Sequence, residues 1–123
     1  MSEEQRSRKE LIAEYKEQKQ PMGVYQIRNL VNGKILVAST PNLRAAWNAE
    51  QFKLELGAHL NESLQRDWRE YGEKQFVFEV LHELKLADEV TDFRGELKAL
   101  ETLVIEDLQP YGDRGYNRKP TVR

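Results

Sequence analysis

The chain has no cysteine, so it can build neither a disulfide framework nor a thiolate zinc cluster, and it offers no thiol nucleophile. No apolar run is long enough to span a bilayer, and residues 1–19 are charged rather than apolar. Neither a membrane span nor a signal peptide is therefore expected, and the cytoplasm is the expected compartment. A surplus of one charge is also missing: 19 basic against 21 acidic residues leave a net charge of -2. That balance excludes the whole-molecule basic field used by many nucleic-acid binders. Mean hydropathy is low, at -0.77, so the core is modest. A chain of 123 residues still suffices for one domain burying roughly 65% of its unfolded surface.

The charges that are present are unevenly placed. Acids outnumber bases from His82 to Asp107, whereas Arg114, Arg118, Lys119 and Arg123 face only Asp113 in the last stretch. A basic tail is an ordinary solvated terminus or, alternatively, a set of phosphate contacts through Arg114, Arg118 and Lys119.

Turn and cap signals divide the chain. Ser2 and Gln5 form a capping-box start to a polar helix over 1–20 that Pro21 ends. Its Leu11, Ile12 and Tyr15 offer a face for a protein partner or for loose docking. Met22–Asn29 and Lys34–Ser39 flank Asn32-Gly33, a strong hairpin signal. Thr40-Pro41 reads as an N-cap followed by proline at the first helical position. The helix it opens runs to about Leu56, with Gly57 closing it. That helix carries the stripe Leu43, Ala46, Trp47, Glu50, Leu54. Asn61 caps a second helix with Leu64, Trp68 and Tyr71 on one side. Phe76–Leu81 has strand composition, with Phe76, Phe78 and Val80 alternating onto one face. A final helix precedes Pro110. The predicted order is α-β-β-α-α-β-α, an α+β fold with a small, mainly antiparallel three-stranded sheet flanked by helices.

The final helix contains an anomaly. Its stripe reads Leu97, Leu100, Glu101, Val104, Leu108. An ionised acid on the core face of a helix is costly unless it is paired, coordinated or reached by water. The sheet this helix packs on carries Tyr25. A site glutamate beside a hairpin tyrosine is therefore the expected functional centre, although Tyr25 reads equally well as a plain core residue.

Taken in order, these segments resemble the GIY-YIG nuclease family over most of 22–117. Gly23-Val24-Tyr25 looks like the GIY element, and Lys34-Ile35-Leu36-Val37-Ala38-Ser39 lies where the family has YIG. Asn42-Leu43 to Trp47-Asn48 resembles the following helix. Gly57-Ala58-His59-Leu60-Asn61, Leu64-Gln65 and Tyr71-Gly72-Glu73 match recurring elements. Glu101 with Ile105 resembles the metal-binding helix, and Gly115-Tyr116-Asn117 the closing motif. The resemblance implies cleavage of nucleic acid, DNA above all, with one divalent ion, Mg²⁺ or Mn²⁺. It makes Glu101 the metal ligand and Tyr25 the tyrosine proposed as base for water. It places His59 and Asn117 at the family's histidine and terminal asparagine. Phosphoryl transfer needs such parts: positive charge on the phosphate oxygens and a positioned nucleophile.

Other parts are replaced. The second tyrosine is Leu36, the YIG glycine is Ala38, the arginine is Ala46, and a position that is often histidine is Glu50. Deleting a comparable preorganised stabiliser costs roughly 10²–10³-fold in rate. Lys34 shares the face of Leu36 by the period of two and is the nearest stand-in cation. His59 and Asn117 also have bland readings, as a structural histidine and a turn asparagine. The expectation is a GIY-YIG-like domain at 21–117, between the helical extension 1–20 and a basic tail at 118–123. Its function is weak or impaired metal-dependent phosphodiester cleavage or, alternatively, binding of nucleic acid or protein by an inactive scaffold.

Overall fold

Alternation in the first strand sends apolar side chains to both sides, and the architecture follows from covering both. The structure, a computed structural model of the chain, describes residues 21–86 and 92–120. The helix expected over 1–20, with its partner-binding face, lies outside the described residues. Strands β1 (Met22–Asn29), β2 (Ile35–Thr40) and β3 (Phe76–Leu84) form one antiparallel sheet in the order β2-β1-β3. Helices α1 (Leu43–Leu56), α2 (Glu62–Tyr71) and α3 (Phe93–Leu108) complete the α+β fold, with 3-10 turns at Glu73–Gln75 and Gly112–Arg114.

On one side of the sheet Tyr25, Ile27, Leu36 and Phe76 pack with Leu43, Ala46 and Leu54 of α1 and Leu64 and Trp68 of α2. On the other side Val24 and Val37 meet Val104, with Leu100, Ile105 and Leu108 of α3 around them. The stripes of α1 and α3 thus bury as their spacing predicts, but against opposite faces. A central strand buried on both faces must let its neighbours come close. Gly23 shows this directly: a Cβ there would run into the carbonyl of His82 on β3. The β1–β3 register shifts between Val24 and Tyr25, a bulge that leaves Leu81 unmatched.

Of three local expectations, the hairpin and the alternation of β3 hold and the cap of α1 is corrected. The hairpin closes through a four-residue loop, with Asn29 N–H donating to Lys34 O at 2.9 Å and Gly33 N–H to Asn29 O at 2.8 Å. Gly33 takes φ +77°, open to glycine at no cost. The N-cap of α1 is Asn42, whose side chain accepts from Ala45 N–H, because Thr40 is drawn into β2 opposite Gly23. Val80 shares the face of Phe76 and Phe78, opposite Tyr25, but is 52% exposed, since it sits on the outer strand beyond the helical cover.

The outer edge of β2 is closed by a late segment. Gly115 forms a parallel bridge to Ile35, and Tyr116 N–H donates to Ile35 O at 2.8 Å. The Asn117 side chain then pairs with Val37 like an additional strand residue, accepting its N–H at 2.8 Å and donating to its carbonyl at 2.9 Å. Asn61 fastens the same segment by donating to Tyr116 O at 2.7 Å. Removing the amide strands a donor and an acceptor at a half-covered edge. We expect Asn117→Ala to lower stability by about 1–3 kcal/mol, measured by urea unfolding.

Candidate active site at the free edge of the sheet

Asn117 satisfies β2 only as far as Val37, so the edge stays open from Ala38 to Thr40, and the candidate site gathers there. Tyr25 pairs with Ala38 across β1–β2. Its ring is buried, 4.9 Å from the ring of Phe78. Its hydroxyl has no hydrogen-bond partner among the described residues, yet is not sealed from solvent. Burial, and then the negative charges of Glu50 and Glu101, hold this phenol above the usual range. Two carboxylates carried by helices on opposite faces therefore act on one hydroxyl.

Glu101 reaches the site from α3. The side chain is half-buried at 18% exposure; Oε2 accepts a hydrogen bond from Ser39 Oγ and Oε1 one from Lys98 Nζ at 3.2 Å. Ser39 follows Ala38 and points to the α3 face, as strand alternation requires. Glu50, buried on α1, accepts from His59 Nε2 at 2.9 Å and lies 3.6 Å from Lys53. Burial alone would push the Glu50 carboxyl up, but the hydrogen bond from His59, with the charge and hydrogen bond of Lys53, holds the group below the ordinary carboxylate value. His59 is fixed at both nitrogens. Asn61 N–H donates to Nδ1 at 3.0 Å, so Nδ1 carries no proton and the ring proton on Nε2 goes to Glu50.

The remaining sequence-based candidates lie elsewhere. Lys34 precedes β2, with Nζ 5.8 Å from the centre of the Tyr116 ring. Five residues of strand, roughly 16 Å, separate it from Ser39. Asn117 is engaged with Val37. Arg114 sits in the second 3-10 turn, Arg118 and Lys119 follow Asn117, and all three are exposed. Leu36 and Ala46 are buried in the core cluster with Tyr25. Ser39 was not singled out by sequence; only the register places it beside Glu101. Glu50 was signalled by its place in the α1 stripe, but its pairing with His59 was not.

Among the described residues no three His, Asp or Glu side chains converge as a metal cage. The hard oxygens at hand are the Glu101 carboxylate and the Ser39 hydroxyl. That donor set fits a small divalent ion that keeps most of its water and needs one or two protein oxygens. Lys98 is exposed on a flexible stem and is free to swing aside.

A three-stranded antiparallel sheet between helices is the fold that the resemblance to GIY-YIG nuclease domains implies. Comparison with solved structures bears this out. The catalytic domain of the homing endonuclease I-TevI superposes with a TM-score of 0.67 at 28% identity, covering 80% of this chain and 99% of that one. A glutamate-to-alanine variant of that domain gives a TM-score of 0.66 at 27% identity, covering 79% and 92%. In sequence, 62 residues are 34% identical to intron-associated endonuclease 1 of Enterobacteria phage T4, half of this chain. The match spans only 25% of that protein's length. No family model matches the sequence.

The Glu50–His59 pair has a pH signature. A carboxyl whose folded value lies below its ordinary 4.5 contributes stability that is present above that value and fades as pH falls through the lower folded one. Wild type should therefore exceed Glu50→Gln in stability at neutral pH and lose that advantage in acid below pH 4.5. Denaturant unfolding of both proteins from neutral pH into acid measures it.

Proposed function

We propose that the chain acts as a nuclease domain on nucleic acid, DNA above all, with one Mg²⁺ or Mn²⁺ ion at Glu101, and that its turnover is weak. The observation that supports this most is the half-buried Glu101 carboxylate, hydrogen-bonded to Ser39 at the open edge of β2 and felt by the Tyr25 hydroxyl. A divalent ion bound there supplies positive charge to the oxygens of a phosphodiester. Tyr25, whose ionised form is rare at neutral pH, holds its proton and can donate it to a phosphate oxygen or orient a water. Ser39 fixes the direction of the Glu101 carboxylate.

Weak turnover follows from what surrounds these groups. The Ala46 and Leu36 side chains are apolar and buried, so neither supplies charge or a hydroxyl. Lys53 and Lys98 are each engaged by an acid, and the His59 proton is committed to Glu50. Glu50 also places negative charge where an anionic backbone would lie. Lys34 and Asn117 belong to this reading only as outer supports. Arg114, Arg118 and Lys119 add at most three phosphate contacts. The division into 1–20, a body at 21–117 and a tail at 118–123 is part of the same proposal, as is a protein partner for 1–20. Cytoplasmic placement is as well; no described helix is long and apolar enough to cross a membrane. A second reading, a scaffold that binds nucleic acid or protein without cutting, is favoured by the burial of Ala46.

Thermal unfolding and plasmid nicking test the reading together. Mn²⁺ should raise the Tm of wild type but not of Glu101→Ala, while nicking of supercoiled DNA with Mg²⁺ stays slight. No metal shift in wild type would remove the ion site. Robust nicking that Glu101→Ala abolishes would keep the nuclease and overturn the weakness. Neutralising the tail as Arg114→Gln, Arg118→Gln and Lys119→Gln should make the salt dependence of DNA binding shallower by about 3 at most. An unchanged slope would rule the tail out.

A further inference from the structure

A cleft of about 450 Å³ opens between the α1–α2 loop and α2, lined by Gly57, His59, Glu62, Gln65, Arg66 and Arg69. Arg66 and Arg69 stand three residues apart, on the same side of α2. Both are exposed, and among the described residues neither forms a hydrogen bond or an ion pair. Glu62 is the acid in the lining, so the wall keeps a net positive charge. The Arg69 guanidinium lies so close to Gly57 that a Cβ there would strike its Nη2. Gly57 itself holds φ +73° as the cap of α1. The glycine thus serves two ends at once, turning the chain and making room for the arginine.

The cleft shares a wall with the candidate site. His59 lines it while donating to Glu50, whose charge reaches Tyr25. We propose that this cleft holds the sugar-phosphate backbone of a nucleic-acid strand, with Arg66 and Arg69 each taking a phosphate of the strand that passes Glu101. The assignment rests on the nuclease reading above. Guanidinium forks match phosphate oxygens in pairs. An open cleft with unpaired arginines along one wall admits a chain running through it, whereas a single nucleotide would need closing walls. It also gives the balanced surface of this protein a local cationic track without a basic whole.

The test is fluorescence anisotropy of a labelled duplex with Ca²⁺ in place of Mg²⁺, at several salt concentrations. The proteins are wild type, Arg66→Gln/Arg69→Gln, Arg66→Lys/Arg69→Lys and Arg118→Gln/Lys119→Gln. The glutamine pair should make the plot of log affinity against log salt shallower by about 2, and weaken binding alike on unrelated sequences. The lysine pair should keep most of the slope. The tail variant should leave the cleft contribution in place. The Mn²⁺-dependent Tm rise should persist in the glutamine pair, showing an intact fold and an intact Glu101. A glutamine pair that binds with wild-type affinity and slope would overturn the cleft, and so would wild type showing no salt-dependent binding. In either case the nicking and metal-shift measurements still decide the nuclease reading on their own, so the two failures are distinguishable.

Discussion

Everything in this fold answers to the double-sided burial of β1. A strand with apolar groups on both faces needs cover above and below, and two helical layers supply it: α1 with α2 on one side, α3 on the other. Neither layer alone contains the site. It forms where the layers reach past the sheet at its outer strand, so that acids from opposite faces act on one tyrosine. The candidate site therefore sits on a seam between two cores, and its charge balance is set by elements that do not pack on each other's face of the sheet.

That seam also explains the electrostatic character of the centre. An arginine on α1 facing Tyr25 would set cation against the two acids. With Ala46 and Leu36 in the core, the same space is filled by hydrocarbon, and the nearby cations are tied to carboxylates. What remains at the free edge is a pair of acids acting on one tyrosine hydroxyl.

Much of this was legible in the sequence, and the exceptions have a common cause. Glu101 could be found because a helical stripe is local: its neighbours at three and four residues declare the face. Asn61 and Gly57 were legible for the same reason, as caps that act within one turn. Asn117 was read as a site or turn residue because its partner, Val37, is separated by 80 residues and no local pattern announces a side chain that imitates a strand. Thr40 was assigned to the helix because its cap chemistry is real, and the pairing with Gly23 simply outweighed it. The contact between His59 and Glu50 joins a loop to a helix and depends on how Gly57 turns the chain. Lys34 was placed on the correct side of the hairpin, but the distance along the strand that keeps it from Glu101 becomes visible only once the register is known.

The closing segment has a consequence for how the molecule comes to exist. Until residues 115–117 arrive, β2 presents unpaired donors and acceptors along its outer side, and such a margin is a template for any extended chain that meets it. The clasp comes late in the sequence, with Asn117 bonding back across 80 residues and Tyr116 meeting Asn29 across 87. A ribosome releasing this chain in order thus leaves the border at residues 35–37 uncovered until residues 115–117 have emerged and folded back. Three consecutive residues thereby shield the first half of a border that would otherwise invite a neighbour.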